Sequence, residues 1–137
     1  MEQNKIKIGI IGAGRMGITH YSIINSHSDI TITAVADPSG IILSMIDKYL
    51  PVKTYKDYNE LITRSKPDAI LVCTPPNLHY PIIKNAFESN IHVFVEKPFT
   101  NHKVGVTCHA EYLRPVEPKT FAPVNSLACV FCKVTDK

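Results

Sequence analysis

The sequence predicts an α/β protein built on one doubly wound parallel sheet. Short apolar, β-branched runs alternate with segments of helical period along residues 1–100. Most of these runs are apolar on nearly every residue, as strands buried on both faces of a parallel sheet must be. Right-handed crossovers between such strands most simply give the order 3-2-1-4-5, which is a Rossmann-like arrangement.

Five segments have the composition of strands. Four of them lie at residues 6–11, 30–36, 69–74 and 91–95, and a shorter one lies at 52–55. The segments between them carry the signals of helices, so the chain alternates strand and helix from its first strand to its fifth. This alternation predicts a single sheet with helices packed on both faces.

Four helices are predicted, three from apolar spacing alone and one with the help of a capping residue. Asp57 is placed to cap the third helix. Each helix lays one apolar stripe on the sheet. The stripes comprise Gly17, Tyr21 and Ile24; Ile42, Ile46, Tyr49 and Leu50; Tyr58, Leu61 and Ile62; and Ile83, Ala86 and Phe87.

The chain of 137 residues has room for one domain and a short appendage. We place the domain at residues 1–100 and a tail at 101–137, where prolines crowd together and no helical period persists. Within the tail only residues 127–134 look strand-like. They form either a sixth strand at the sheet edge or part of a loosely held tail.

Charge and hydropathy exclude several classes of function. The net charge of +3 is spread along the chain, so no basic stripe predicts nucleic-acid binding. The first apolar run is too short for a signal peptide or a membrane span. We therefore expect no membrane association and a cytoplasmic location.

A G-x-G-x-x-G pattern directly follows the first predicted strand and opens a helix. Gly12 allows the tight turn, Gly14 lets a pyrophosphate approach the backbone, and Gly17 lets helix and strand pack closely. Amide groups at the helix start then face the phosphates. We predict that these glycines, with Arg15 and Met16 between them, bind a dinucleotide.

Asp37 ends the second predicted strand, twenty residues after Gly17. A carboxylate there can accept hydrogen bonds from ribose hydroxyls. The alternative is that Asp37 caps the next helix, with Pro38 in its first turn. A 2′-phosphate beside Asp37 would meet like charge, and residues 38–40 supply no cation, so we predict NAD as the cofactor over NADP.

The loops after the fourth and fifth strands fall at the same sheet edge. Thr74 is placed to contact phosphate or ribose, and Pro75 stiffens its loop. His79 reads more simply as an exposed residue at a helix start than as a catalyst. Lys97 is either a catalytic residue that stabilises charge during hydride transfer or a surface lysine beside a turn proline.

Taken together, these residues resemble the N-terminal nucleotide-binding domain of the Gfo/Idh/MocA oxidoreductases. The resemblance runs from about Lys5 to Thr100 and rests on IGIIGAGRMG, AVADPS, YKDYNELI and KPDAILVCTPPNLHYPIIKNAFESNIHVFVEKPFT. Its most specific elements are the T-P before a Leu-His pair and the later H-V-x-x-E-K-P.

The resemblance implies NAD(P)-dependent oxidation or reduction at a hydroxyl-bearing carbon of a sugar or polyol. It places Lys97 near nicotinamide and substrate, implies a bond to Pro98 that is often cis, and adds Pro75, His79 and Glu96 to the cofactor site, with Glu96 orienting its turn.

Relatives in this family continue into a second α/β domain that supplies the substrate pocket, which residues 101–137 do not resemble. We expect this substrate domain to be absent, as in a truncated product or a changed reading frame. The chain should then bind NAD but turn over slowly or not at all, and take a sugar-like substrate only if a substrate domain is supplied. The alternative is a non-enzymatic NAD-binding sensor or accessory subunit.

The tail also carries Cys108-His109 and Cys129-x-x-Cys132. A C-x-x-C pair is the usual half of a zinc site, but an adjacent Cys-His pair is not its standard partner. We therefore expect no metal.

Overall fold

A computed structural model describes residues 5–96 and 129–132 of the chain, and shows them arranged around one sheet. Six strands lie in the order β3-β2-β1-β4-β5-β6. The first five are parallel to one another, so the predicted order 3-2-1-4-5 is confirmed. The elements are β1 Ile6–Ile11, α1 Arg15–Ile24, β2 Ile30–Ala36, α2 Gly40–Tyr49, β3 Lys53–Tyr55, α3 Tyr58–Glu60, β4 Ala69–Val72, α4 His79–Glu88, β5 His92–Glu96 and β6 Cys129–Cys132.

Two buried clusters, one on each face of the sheet, form the core. One joins Ile11, Val72 and Val95 to Leu61 and to the inner side of α4. The other joins alternate residues of the same strands to α1 and α2; its buried members are Ile10, Ala13, Tyr21, Ile32, Val35, Ile46 and Leu71. Because successive residues of a strand point to opposite faces, β1, β2, β4 and β5 each contribute to both clusters. This explains why the strands are apolar on nearly every residue.

The third helix begins as predicted but does not continue as an ordinary α-helix. The Asp57 carboxylate accepts a hydrogen bond from the backbone N–H of Asn59 at 2.8 Å, which confirms the predicted cap. After one turn the helix widens into a π-helical segment, Leu61–Ser65. Lys66 then adopts the left-handed conformation, with φ of 44°, and ends it.

Strand boundaries differ from the predicted ones at the binding edge. β4 ends at Val72 rather than at Thr74, because two prolines follow and supply no N–H for a sheet ladder. A short 3₁₀ turn, Pro76–Leu78, then leads into α4. β5 extends to Glu96 because this residue pairs with Cys129 of the sixth strand.

β6 lies antiparallel to β5 at the sheet edge, with Phe94 opposite Phe131. It falls inside residues 127–134, for which the sequence left open either an edge strand or a loosely held tail. The rest of the predicted tail lies outside the described residues. Across the part of the chain that the structure describes, no helix has the length and apolar character needed to cross a bilayer.

Two isoleucines in ten-residue helices test this core. Ile83 of α4 is 4% exposed, whereas Ile41 of α2 is 77% exposed. We expect Ile83→Ala to lower the free energy of unfolding by about 2–5 kcal/mol, since it leaves a cavity. Ile41→Ala should change it by no more than about 0.5 kcal/mol. Urea denaturation of both variants measures the difference, and equal losses would contradict the assigned core.

Candidate functional site: a dinucleotide-binding turn

The loop between β1 and α1 makes a turn that only glycine fits. Gly12 has φ of +94°, and a Cβ on it would lie 2.8 Å from the backbone carbonyl of Cys73. The Gly12 N–H donates to the carbonyl of Ala36 at 2.8 Å. The turn is therefore held against the ends of both neighbouring strands, β2 and β4, at the centre of the sheet edge.

The other two glycines of the turn have different surroundings. A Cβ on Gly17 would lie 2.0 Å from the carbonyl oxygen of Gly12, so α1 packs directly on the turn. A Cβ on Gly14 would meet no atom within 4 Å, so its backbone is open on that side. These placements agree with close helix packing at Gly17 and room for a ligand at Gly14.

The start of α1 suits an anion. Gly14 occupies the N-cap position and supplies no side-chain hydrogen bond, and the first turn carries no acidic residue. Arg15 and Met16, the first residues of the helix, are exposed. Backbone N–H groups at an uncapped helix start, with the positive end of the helix dipole, favour phosphate oxygens.

The Asp37 carboxylate is fixed beside this turn by two backbone groups. One oxygen accepts from the N–H of Ala13 and the other from the N–H of Ser39, each at 2.8 Å. Ser39, and not Asp37, caps α2, because its hydroxyl accepts from the N–H of Ile42. The capping alternative for Asp37 is therefore wrong. An ionised carboxylate offers about four acceptor positions, so two remain for a ligand.

A cavity of about 310 Å³ lies beside Asp37 at the carboxyl ends of the strands. Gly12, Thr74 and Lys56 are among the residues that line it. The Thr74 hydroxyl is buried and has no hydrogen-bond partner among the described residues. A buried hydroxyl without a partner is unfavourable, so this group fits a ligand that supplies one. Sequence reasoning missed Lys56 because it considered the loops after the first, second, fourth and fifth strands, whereas Lys56 follows β3.

His79 is placed differently from the sequence prediction. It is fully buried at the start of α4, whereas an exposed residue was expected, so that expectation is wrong. Its Nε2 lies 2.7 Å from the carbonyl oxygen of Thr74, and because a carbonyl only accepts, this nitrogen donates. The His79 ring thus hydrogen-bonds the backbone of Thr74, a residue that lines the cavity. Pro75, which is exposed, precedes the 3₁₀ turn between the two residues.

Glu96 contacts a residue that sequence reasoning missed. Its Oε1 lies 2.5 Å from Nε2 of His20, on the second turn of α1. The two residues are 76 positions apart, and the one local signal for His20 is its place three residues after Gly17, on the same side of the helix.

The remaining predicted site residues lie outside the described part of the chain. Lys97 and Pro98 directly follow the end of β5, and Cys108 and His109 lie in the tail. Among the described residues no three His, Cys, Asp or Glu side chains cluster closely enough to hold a metal ion.

The glycine turn, the uncapped helix and the carboxylate at the end of β2 together define a dinucleotide-binding Rossmann domain. Residues 6–114 match the model of the GFO_IDH_MocA family, described as an oxidoreductase family with an NAD-binding Rossmann fold. The chain belongs to this family. The match continues past Thr100, where the sequence reading placed the end of the resemblance.

Similar proteins include several inositol dehydrogenases. The chain is 35% identical to myo-inositol 2-dehydrogenase of Thermotoga maritima over 121 residues, which cover 88% of this chain and 36% of that protein. It is 30% identical to the rhizopine catabolism protein MocA of Rhizobium meliloti, covering 69% of this chain and 29% of that protein. The chain thus spans about a third of the length of such relatives.

A solved structure shares the fold. It is scyllo-inositol dehydrogenase from Lactobacillus casei with bound cofactor NAD(H) and scyllo-inositol, which superposes with a TM-score of 0.66 at 30% identity. The superposition covers 70% of this chain and 29% of that chain. The part shared with this chain is therefore less than a third of that enzyme.

The packing of α1 on the turn can be tested with two alanine variants. We expect Gly17→Ala to lower the free energy of unfolding by about 3 kcal/mol or more, since its Cβ would overlap the Gly12 carbonyl. Gly40→Ala is the matched control, because a Cβ there meets no atom within 4 Å and alanine favours helix. Thermal unfolding of both variants measures the effect, and a Gly17→Ala chain as stable as Gly40→Ala would contradict the structure.

Proposed function

We propose that this chain binds NAD at the turn after β1 and forms the dinucleotide domain of an oxidoreductase that acts on a hydroxyl-bearing carbon of a polyol or sugar. The observation that carries the proposal is the uncapped start of α1 beside the fixed carboxylate of Asp37. The substrate class rests on the similarity of the chain to inositol dehydrogenases. A cytoplasmic location stays a prediction from the sequence.

The residues divide the binding of the dinucleotide between them. Backbone N–H groups of Arg15 and Met16 would face the diphosphate, and Gly14 leaves the space it needs. Asp37 would accept hydrogen bonds from the adenosine ribose, and the Thr74 hydroxyl would gain its missing partner. The nicotinamide, when bound, supplies hydride transfer.

The proton chemistry of the reaction stays a prediction from the sequence. Lys97 would donate a hydrogen bond to a substrate oxygen and stabilise negative charge as it develops there. Lys97 directly follows Glu96 in the sequence, and Glu96 ends β5 on the same sheet edge as the turn.

The position of Asp37 supports NAD over NADP. Two backbone hydrogen bonds hold its carboxylate in place, so it is not free to turn away from a 2′-phosphate. Lys56 is a cation that lines the same cavity, but it is exposed and its side chain is flexible. Its attraction for a 2′-phosphate is therefore outweighed by the repulsion from the fixed carboxylate of Asp37.

Titration with NADH tests the proposed function directly. We expect the wild-type chain to bind NADH, and Gly14→Ala to bind it at least about tenfold more weakly, because the new methyl group enters the space left for the diphosphate. Gly14→Ala should unfold at the wild-type temperature, and Gly40→Ala should bind like the wild type. No heat from millimolar NADH in calorimetry would overturn the proposal.

Oxidation of bound NADH by a panel of keto-polyols would support an enzyme, whereas binding without turnover would favour an accessory NAD-binding protein.

Cofactor preference can be tested at Asp37. We expect wild-type chain to bind NADH about tenfold or more tightly than NADPH, since like charges repel at short range. Asp37→Asn removes the charge while its amide oxygen can still accept one of the two backbone hydrogen bonds, and it should bring the two affinities together. Asp47→Asn, at an exposed carboxylate on α2 that accepts from Thr54, is the matched control and should keep the wild-type ratio. Equal or tighter NADPH binding by the wild type would contradict the assignment.

A further inference from the structure

His20 and Glu96 connect two elements that meet at the binding edge of the sheet. The 2.5 Å contact joins α1 to the last residue of β5, and the two side chains are only 19% and 16% exposed. A hydrogen bond to an ionised carboxylate is stronger than a neutral one, and partial burial shields it from water and salt. Water and salt therefore screen this contact less than a fully exposed ion pair.

The His20 ring is also held by packing. It lies edge-on against Phe94, with the ring centroids 6.2 Å apart and the planes at 74°. Phe94 and Glu96 are two residues apart on β5, so both side chains leave the same face of the sheet. One strand thus fixes His20 at two points, through its ring and through its Nε2.

The helix that carries His20 also carries the phosphate-binding turn. His20 lies three residues after Gly17, which packs on the Gly12 carbonyl. Any shift of α1 relative to that turn therefore moves His20 as well. In a doubly wound sheet the dinucleotide crosses from the β1–β3 half to the half that begins at β4, which places the adenosine near Asp37 and the nicotinamide towards β5.

We propose that His20 is a positioning residue that holds Glu96, and with it the carboxyl end of β5, in place for the nicotinamide half of the dinucleotide. The inference rests on the proposed function of NAD binding. It predicts a role that depends on the hydrogen bond to Glu96, and that concerns the nicotinamide rather than the diphosphate or the adenosine.

The experiment compares NADH with ADP-ribose, which carries the same diphosphate and riboses but no nicotinamide. Calorimetry on the 137-residue chain gives both affinities for wild type, His20→Ala and His20→Gln. We expect His20→Ala to weaken NADH about tenfold, the effect of losing one hydrogen bond to a charged group. The affinity of His20→Ala for ADP-ribose should stay within about twofold of the wild-type value. His20→Gln, whose amide can donate to Glu96, should recover most of the NADH affinity.

Two controls separate this role from a general effect on folding. His27→Ala removes an exposed histidine beyond the end of α1 and should leave both affinities unchanged. The fluorescence of bound NADH reports the surroundings of the nicotinamide, and should be altered in His20→Ala but not in His27→Ala. The NADH affinity of the double variant His20→Ala/Glu96→Ala should be no lower than that of whichever single variant binds NADH less tightly, since the two residues act as one unit.

Several results would overturn the inference. They are unchanged NADH binding by His20→Ala, an equal loss of NADH and ADP-ribose affinity, a His20→Gln chain that binds NADH as weakly as His20→Ala, or losses that add in the double variant. Each of these leaves NADH binding by the wild type, and so the proposed function, intact. If the wild-type chain binds neither ligand, the proposed function fails and the inference fails with it.

Discussion

The close approach of α1 to the turn after β1 determines most of the geometry at the binding edge. A side chain at position 17 would overlap the Gly12 carbonyl, so only glycine lets the helix begin directly on the strand end. Once it does, Tyr21 enters the core on the next turn and His20 reaches β5. The helix then starts at Gly14, where no side chain of the cap position binds its first N–H groups. The binding turn and the packing of the first βαβ unit therefore depend on one contact.

The sheet could be predicted because strands buried on both faces are apolar on nearly every residue. Strands such as Ile30–Ala36 are apolar throughout, and the strand order follows from right-handed crossovers. Contacts between side chains of distant segments produce no comparable pattern in the sequence. His79 was expected at the surface because nothing in its local sequence reveals that the Thr74 carbonyl would accept from its ring within the core. The pairing of His20 with Glu96 was missed for the same reason, since neither residue signals the other across the sheet.

Asp37 shows where local sequence rules leave two answers open. Asp37 and Ser39 are both good helix caps and lie two residues apart, so propensity alone does not choose between them. The structure gives the cap to Ser39 and leaves Asp37 bound to the N–H groups of Ala13 and Ser39. These two bonds orient the carboxylate before any ligand arrives. A group that is already ordered loses less conformational entropy on binding, which favours affinity and selectivity.

Two polar features of the described residues lie without side-chain partners at the binding edge of the sheet. The first turn of α1 has no side-chain cap, and the Thr74 hydroxyl is buried with no partner among the described residues. Each such group lowers stability, because folding removes it from water without a replacement. Ser39 caps α2 and Asp57 caps α3, whereas α4 continues from the 3₁₀ turn Pro76–Leu78 without a side-chain cap. The uncapped start of α1 directly follows the glycine turn, so its first N–H groups fit a ligand that completes their hydrogen bonds. In the proposed function one ligand would meet all three, since a dinucleotide carries a diphosphate for the helix and ribose hydroxyls for Asp37 and Thr74.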